Sequence, residues 1–201
     1  MRKGEKSLLT KLIASIPKPA NGERLIIGID GLSRSGKTTF VHKIETYLLE
    51  EKIPVHIFHI DDYIVEKKRR YHTGHEEWHE YYHLQWDVDW IKENLLKQLK
   101  ESKELRLLTY EPDQDMQIEK MVSIPDTCLI LLEGVFLQRM EWRSFFDFMI
   151  YLDCSREKRF ARESLETQQK LDKFKNRYWK AEDYYLDSLK PQEQADFVWQ
   201  A

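Results

Sequence analysis

The sequence predicts an α/β fold built on a mainly parallel sheet. Short apolar runs recur along the chain, helical patterns of 3.6-residue period alternate with them, and the first run leads into a glycine-punctuated loop that opens a helix. That loop lies within LIIGIDGLSRSGKTTF, residues 25–40, where Gly31, Gly36, Lys37 and Thr38 stand at the G-x-x-x-x-G-K-[ST] spacing of a phosphate-binding loop. Residues 25–29 read as a buried strand. Phe40, Ile44 and Leu48, with Val41 alongside, read as one face of a helix. The motif therefore sits between a strand and a helix, where its chemistry requires it.

Each residue type there has a physical task. Glycines let successive N–H groups turn inward around an anion, and the helix beginning near Gly36 adds unpaired N–H groups and the positive end of its dipole. Lys37 is expected to reach the outer phosphates of a nucleotide and the Thr38 hydroxyl to bind the accompanying Mg²⁺. Ser33, Ser35 and Thr39 complete the candidate nucleotide-binding set.

The other elements follow in order. Leu8, Leu9, Leu12, Ile13 and Ile16 form the stripe of a leading helix over about 5–15, stopped by Pro17 and Pro19 within an N-terminal segment of about 1–20. Lysines interrupt its apolar part, so it reads as an amphipathic helix and not a signal peptide. A second strand, VHIFHI, ends at Asp61 and Asp62. Residues 65–75 are polar and turn-like, and 76–86 carry Trp78, Tyr81, Tyr82 and Trp86. A helix is expected over about 89–102, a short strand over 105–110, a loop over 111–117 and a returning strand over 121–124. The runs 129–134 and 146–153 are continuous and apolar, as in parallel strands buried on both faces. Ser155 is expected to cap a long charged helix to about 170. A further helix follows over about 175–189, then a last strand over 195–199.

Composition narrows the function. The 201 residues suit one domain, and 41% hydrophobic content is enough for a substantial core. A net charge of −3 gives no support to a nucleic-acid binder, and no apolar run approaches bilayer length. Cys128 and Cys154 are too few for a disulfide framework and read as buried thiols in a reducing cytoplasm. A homo-oligomer is compatible with this composition.

In a parallel sheet, ligands bind beyond the C-terminal strand ends. Asp61 or Asp62, Glu133 and Asp153 are expected there. An acid near the phosphate loop can hold Mg²⁺, and one near an acceptor can take its proton; for Asp153 a solvated strand end is the preferred reading.

GIDGLSRSGKTTF, HIDDY, LLEGVF and YLDCSREKRFAR together resemble the uridine kinase and phosphoribulokinase group of P-loop kinases, over roughly residues 24–199. The resemblance implies a P-loop NTPase fold with a five-stranded sheet, helices on both faces and a helical lid over about 155–175. Acceptor-side excursions would cover about 63–88 and 105–124. It implies ATP and Mg²⁺ as cofactors, Asp61 as catalytic base and a further Mg²⁺ candidate, Glu133 at the metal, and Arg159 and Arg162 as lid arginines. Arg156 reads as a solvated neighbour. Asp62, Tyr63, His83 and Tyr110 fall at acceptor-binding positions. The sequence also departs from the family. His83 stands where uridine kinases carry a ribose-binding aspartate, Asp115 stands where they carry a base-reading histidine, and Glu163-Ser164 falls where they carry a later arginine cluster. Pantothenate, glycerate or a sugar phosphate are therefore acceptor alternatives to a nucleoside.

Two rival readings belong to other classes. A nucleotide-binding regulator without transferase activity would suit a guanine-reading N-K-x-D segment, which is missing. His75-Glu76-Glu77-Trp78-His79 fits the H-E-x-x-H zinc spacing, continued by His83. Five of the seven histidines lie between His59 and His83, however, so a chance match is easy, and the stretch reads better as a histidine-rich acceptor lid. The Lys67-Lys68-Arg69-Arg70 run reads as a solvated loop.

Overall fold

The computed structural model describes residues 3–201. Helix α1 (Lys3–Ser15) buries Leu9 and Leu12 and leads to β1 (Arg24–Gly31). Helix α2 (Lys37–Glu50) follows the phosphate loop, and β2 (Val55–His59) runs into a 3₁₀ turn, Ile60–Tyr63. Next come α3 (Lys67–Arg70), α4 (Glu77–His83) and α5 (Val88–Ile91), the last continued by a wide π-type turn, Lys92–Leu96. Strands β3 (Glu104–Glu111) and β4 (Met116–Ser123) form an antiparallel hairpin apart from the main sheet. The remainder comprises β5 (Cys128–Gly134), α6 (Met140–Arg143), β6 (Phe148–Asp153), α7 (Arg156–Ala161), α8 (Leu165–Gln168) and α9 (Leu171–Lys173). A π-type stretch, Phe174–Trp179, then precedes α10 (Lys180–Leu189), α11 (Pro191–Gln194) and β7 (Phe197–Gln200).

The main sheet has five strands in the order β2-β5-β1-β6-β7, all parallel. Strand side chains alternate between faces, so each apolar run feeds two cores. Leu25, Ile27, Ile29, Leu129 and Leu131 pack with Phe40, Val41 and Ile44 of α2 and with Leu9 and Leu12 of α1. Ile26, Ile130 and Leu132 face the opposite way, toward Tyr81 and Tyr82 of α4, Ile91 of α5 and Tyr185 of α10. Helices thus cover both faces, and the parallel strands end along one edge.

Several local expectations change. The charged helix expected over 155–170 is broken: α7 stops at Ala161, and Ser164 starts α8 by accepting the Thr167 N–H on its hydroxyl. The hairpin is longer than expected, pairing Glu104 with Ser123 and Glu111 with Met116. The 67–70 run is not wholly solvated, because Arg70 is buried and donates to the Val65 carbonyl and the Tyr110 hydroxyl.

Candidate active site

The loop between β1 and α2 turns at Gly36, whose φ of 98° is left-handed backbone that glycine tolerates best. Ser35 Oγ is buried beside it with no hydrogen-bond partner. Lys37 is buried, and its ammonium donates to the Leu32 carbonyl at 3.0 Å. Burial holds its pKa below the usual lysine value against the attraction of Glu133 and Asp61.

Register explains the acidic cluster. Parallel pairing sets Glu133 of β5 level with Ile29 of β1 and His59 of β2. The Thr38 hydroxyl donates to Glu133 Oε1 at 3.1 Å, and His59 Nδ1 lies 2.7 Å from the same oxygen. Burial alone would raise the Glu133 pKa, but the His59 hydrogen bond, the Lys37 charge and the Thr38 hydroxyl bring it below the ordinary value. Asp61, on the 3₁₀ turn after β2, opens onto the same space. Its carboxyl is raised by the surrounding protein walls and by repulsion from Glu133 and Asp62, with Lys37 opposing.

These groups line one cavity of about 670 Å³. Gly36, Lys37, Thr38 and Thr39 lie on its wall with Asp61 and Glu133, and Arg159 and Arg162 close it from the α7 side. Arg159 is buried against Glu182 of α10, with NH1–Oε1 at 2.8 Å and NH2–Oε2 at 2.9 Å. Arg162 is exposed and donates to the Arg34 carbonyl at 2.8 Å. An unpartnered buried hydroxyl, an ammonium, two arginines and an oxygen donor set of Thr38, Glu133 and Asp61 match what a polyphosphate with a hard divalent cation requires.

Residues 26–200 match the model of the phosphoribulokinase / uridine kinase family. The chain belongs to that family. Family proteins similar to it include a uridine kinase of Borrelia turicatae, 31% identical over 143 residues, which are 68% of this chain and 64% of that protein. A uridine kinase of Lactobacillus helveticus is 28% identical over 77% of this chain and 74% of its own length. A solved structure described as a possible uridine kinase from Bacillus stearothermophilus is 47% identical, with a TM-score of 0.83 and 98% of each chain covered. The chain thus spans a little under two thirds of the Borrelia relative.

Within this family member, the other acceptor-side candidates lie apart from the cavity wall. Asp62 is exposed on the turn beside Asp61, and Tyr63 is buried in the apolar core. Tyr110 donates its hydroxyl to Asp115 Oδ1 at 2.8 Å and accepts from Arg70 at 3.1 Å. His75 stacks on His79 and His83 lies tilted against His79, each pair with ring centroids 4.4 Å apart, and His83 packs against Trp78 and Tyr184. Among the described residues no group of three His, Cys, Asp or Glu side chains is set to hold a metal. Arg156 pairs with Asp183 and lies over the Trp179 ring.

Several cavity residues escaped the sequence reading. Glu182, Gln85, Tyr81 and Tyr178 line it from α10, the end of α4 and the π-type stretch. Asp30, fully buried, accepts from the Tyr185 hydroxyl at 2.6 Å and Gln138 Nε2 at 3.0 Å, tying the end of β1 to the loop after β5 and to α10. Only the position of Asp30, between Gly28 and Gly31 at the end of β1, marked it in the sequence. The others carry no local motif.

Proposed function

We propose that this chain is an ATP-dependent kinase moving the γ-phosphoryl group of ATP·Mg²⁺ to a hydroxyl of a small, uncharged alcohol, with a nucleoside such as uridine first among them. The observation that carries this is the convergence of Lys37, Thr38, Glu133 and Asp61 on one cavity closed by two arginines. The loop amides and Lys37 bind the phosphates, and the Arg162 side draws in as a lid. Thr38, Glu133 and Asp61 are the residues that would hold Mg²⁺, which when bound neutralises phosphate charge. Asp61 accepts the proton of the acceptor hydroxyl as the phosphoryl group moves in line. The aromatic walls exclude water, which would otherwise compete as acceptor.

The choice of acceptor follows from where the charges lie. Arg34 belongs to the loop, Lys37 follows it, Arg159 donates to the Ser33 carbonyl and Arg162 to the Arg34 carbonyl. Among the described residues, all four cations on the cavity wall are therefore taken up at the phosphate end. Apart from the carboxylates Asp61, Glu133, Glu163 and Glu182, which repel a second anion, the rest of the wall, including Ile64, Tyr81, Gln85, Phe174 and Tyr178, is uncharged and largely aromatic. Such a surface suits a flat, neutral ring better than a phosphorylated sugar or a carboxylate. The relatives named as uridine kinases support the same choice.

The test is ADP release with ATP and Mg²⁺ across uridine, cytidine, pantothenate, glycerate and a pentose phosphate, against a no-acceptor control. A nucleoside is expected to stimulate release. Lys37→Ala and Asp61→Asn should each abolish the stimulation, with Asp61→Asn still binding nucleotide. Stimulation by the pentose phosphate alone, or by none of the panel, would overturn the proposal.

A further inference from the structure

The two arginines of the cavity are held in different ways. Arg159 is 5% exposed and its partner Glu182 1% exposed. Besides its two bonds to the Glu182 carboxylate, Arg159 donates from NH1 to the Ser33 carbonyl at 3.0 Å and from Nε to the Cys154 carbonyl at 3.1 Å. Four of the five guanidinium N–H groups are thereby engaged. The Ser33 N–H in turn points to Glu182 Oε1 at 3.3 Å, so the ion pair grips both backbone groups of one loop residue. Arg162 is exposed, bonded to the Arg34 carbonyl, and its NH1 lies 3.6 Å from where a Cβ on Gly36 would stand.

We propose that Glu182 is the positioning residue that makes Arg159 a fixed strut of the phosphate loop, leaving Arg162 as the arginine that follows the transferring phosphoryl group. The reason is energetic. Swinging Arg159 onto a phosphate would strand a buried carboxylate, and an unpaired buried charge costs more than one new charge-assisted bond returns. Arg162 leaves only a neutral carbonyl that water can satisfy. The Arg159–Glu182 pair sits on α7 and α10, so the loop conformation is built before nucleotide arrives.

The inference rests on the phosphotransfer reading only for the role of Arg162. The experiment measures ATP·Mg²⁺ affinity by calorimetry without acceptor, melting temperature, and kcat with the stimulating acceptor. Arg162→Met should keep its melting temperature and hold its nucleotide Kd within about threefold while kcat falls at least ~100-fold, as when a transition-state arginine is removed. Glu182→Gln should weaken nucleotide binding about tenfold or more, a loss of ~1.4 kcal/mol or more. Should Glu182→Gln not fold, Arg159→Lys serves: it keeps the charge but not the fork, and should also bind nucleotide about tenfold more weakly. Unchanged or tighter nucleotide binding in Glu182→Gln or Arg159→Lys would overturn the strut, and an active Arg162→Met would overturn the division of labour. A wild-type chain that binds ATP·Mg²⁺ but phosphorylates no acceptor would sink the transfer reading and the Arg162 role, while the affinity arm would still decide the strut.

Discussion

Gly134 shows how a missing side chain can aim a distant carboxylate. A Cβ built there would lie 2.0 Å from Ile60 Cγ2 and 2.8 Å from its Cβ, and Ile60 is fully buried at the head of the turn that carries Asp61. Neither contact is with a flexible tip, so the turn itself has to move. Gly134→Ala should therefore cost about 1–3 kcal/mol, as overpacking does. It should lower turnover by more than nucleotide affinity, because the displaced group is Asp61 and not the loop. Denaturant titration, nucleotide binding and turnover on one preparation check this, and wild-type turnover in Gly134→Ala would refute it. At this scale the sequence was legible wherever chemistry is local. Lys37 and Thr38 are spelled out by loop spacing, and Glu133 stands out as the acid ending an apolar run. Glu182 and Gln85 were not legible, because their partners and their cavity are assembled from distant parts of the chain and leave no period or motif nearby.

Between elements, the helical cover is bolted to the acceptor side by a second buried ion pair. Arg177, on the π-type stretch before α10, reaches Glu80 of α4 at 3.2 Å and lies 4.2 Å over the Tyr71 ring. Glu80 also accepts the Thr73 N–H at 2.8 Å and the Thr73 hydroxyl at 3.0 Å. Burial would raise the Glu80 pKa, but these hydrogen bonds and the Arg177 charge leave it below the ordinary 4.5. A carboxylate depressed on folding stabilises fully above its unfolded value, and that stabilisation is lost as pH falls through the folded value. Acidifying from neutrality through the ordinary glutamate range should thus erode wild-type stability more than that of Glu80→Gln. At neutral pH the variant should already be weaker by about 3–5 kcal/mol, since Arg177 is left unpaired in the interior. Chemical denaturation at a series of pH values tests both statements; parallel curves would exclude the linkage. This region was also where element prediction failed. Its residues have helical patterns throughout, yet Ser164 recaps the chain after α7, and the stretch 174–179 widens to π-type turns that periodicity does not distinguish from an ordinary helix.

For the whole molecule, nucleotide should act as a clamp joining loop, strand ends and helical cover. Saturating ATP·Mg²⁺ at about 100 times its Kd should add ~2.7 kcal/mol of stability, read as a rise in melting temperature. Lys37→Ala should remove most of that rise, whereas Met121→Ala, on the exposed outer hairpin, should retain it. Equal shifts in wild type and Lys37→Ala would place the nucleotide elsewhere. The sheet order has a consequence for biosynthesis as well. β1 pairs with β5 and β6, whose residues lie more than a hundred positions downstream, and β2 also waits for β5. A nascent chain emerging from the ribosome therefore carries the buried apolar strand β1 unmated until more than half of the polypeptide has been made. Topologies with such long-range closure fold slowly, which makes this chain a natural client for holding chaperones during synthesis.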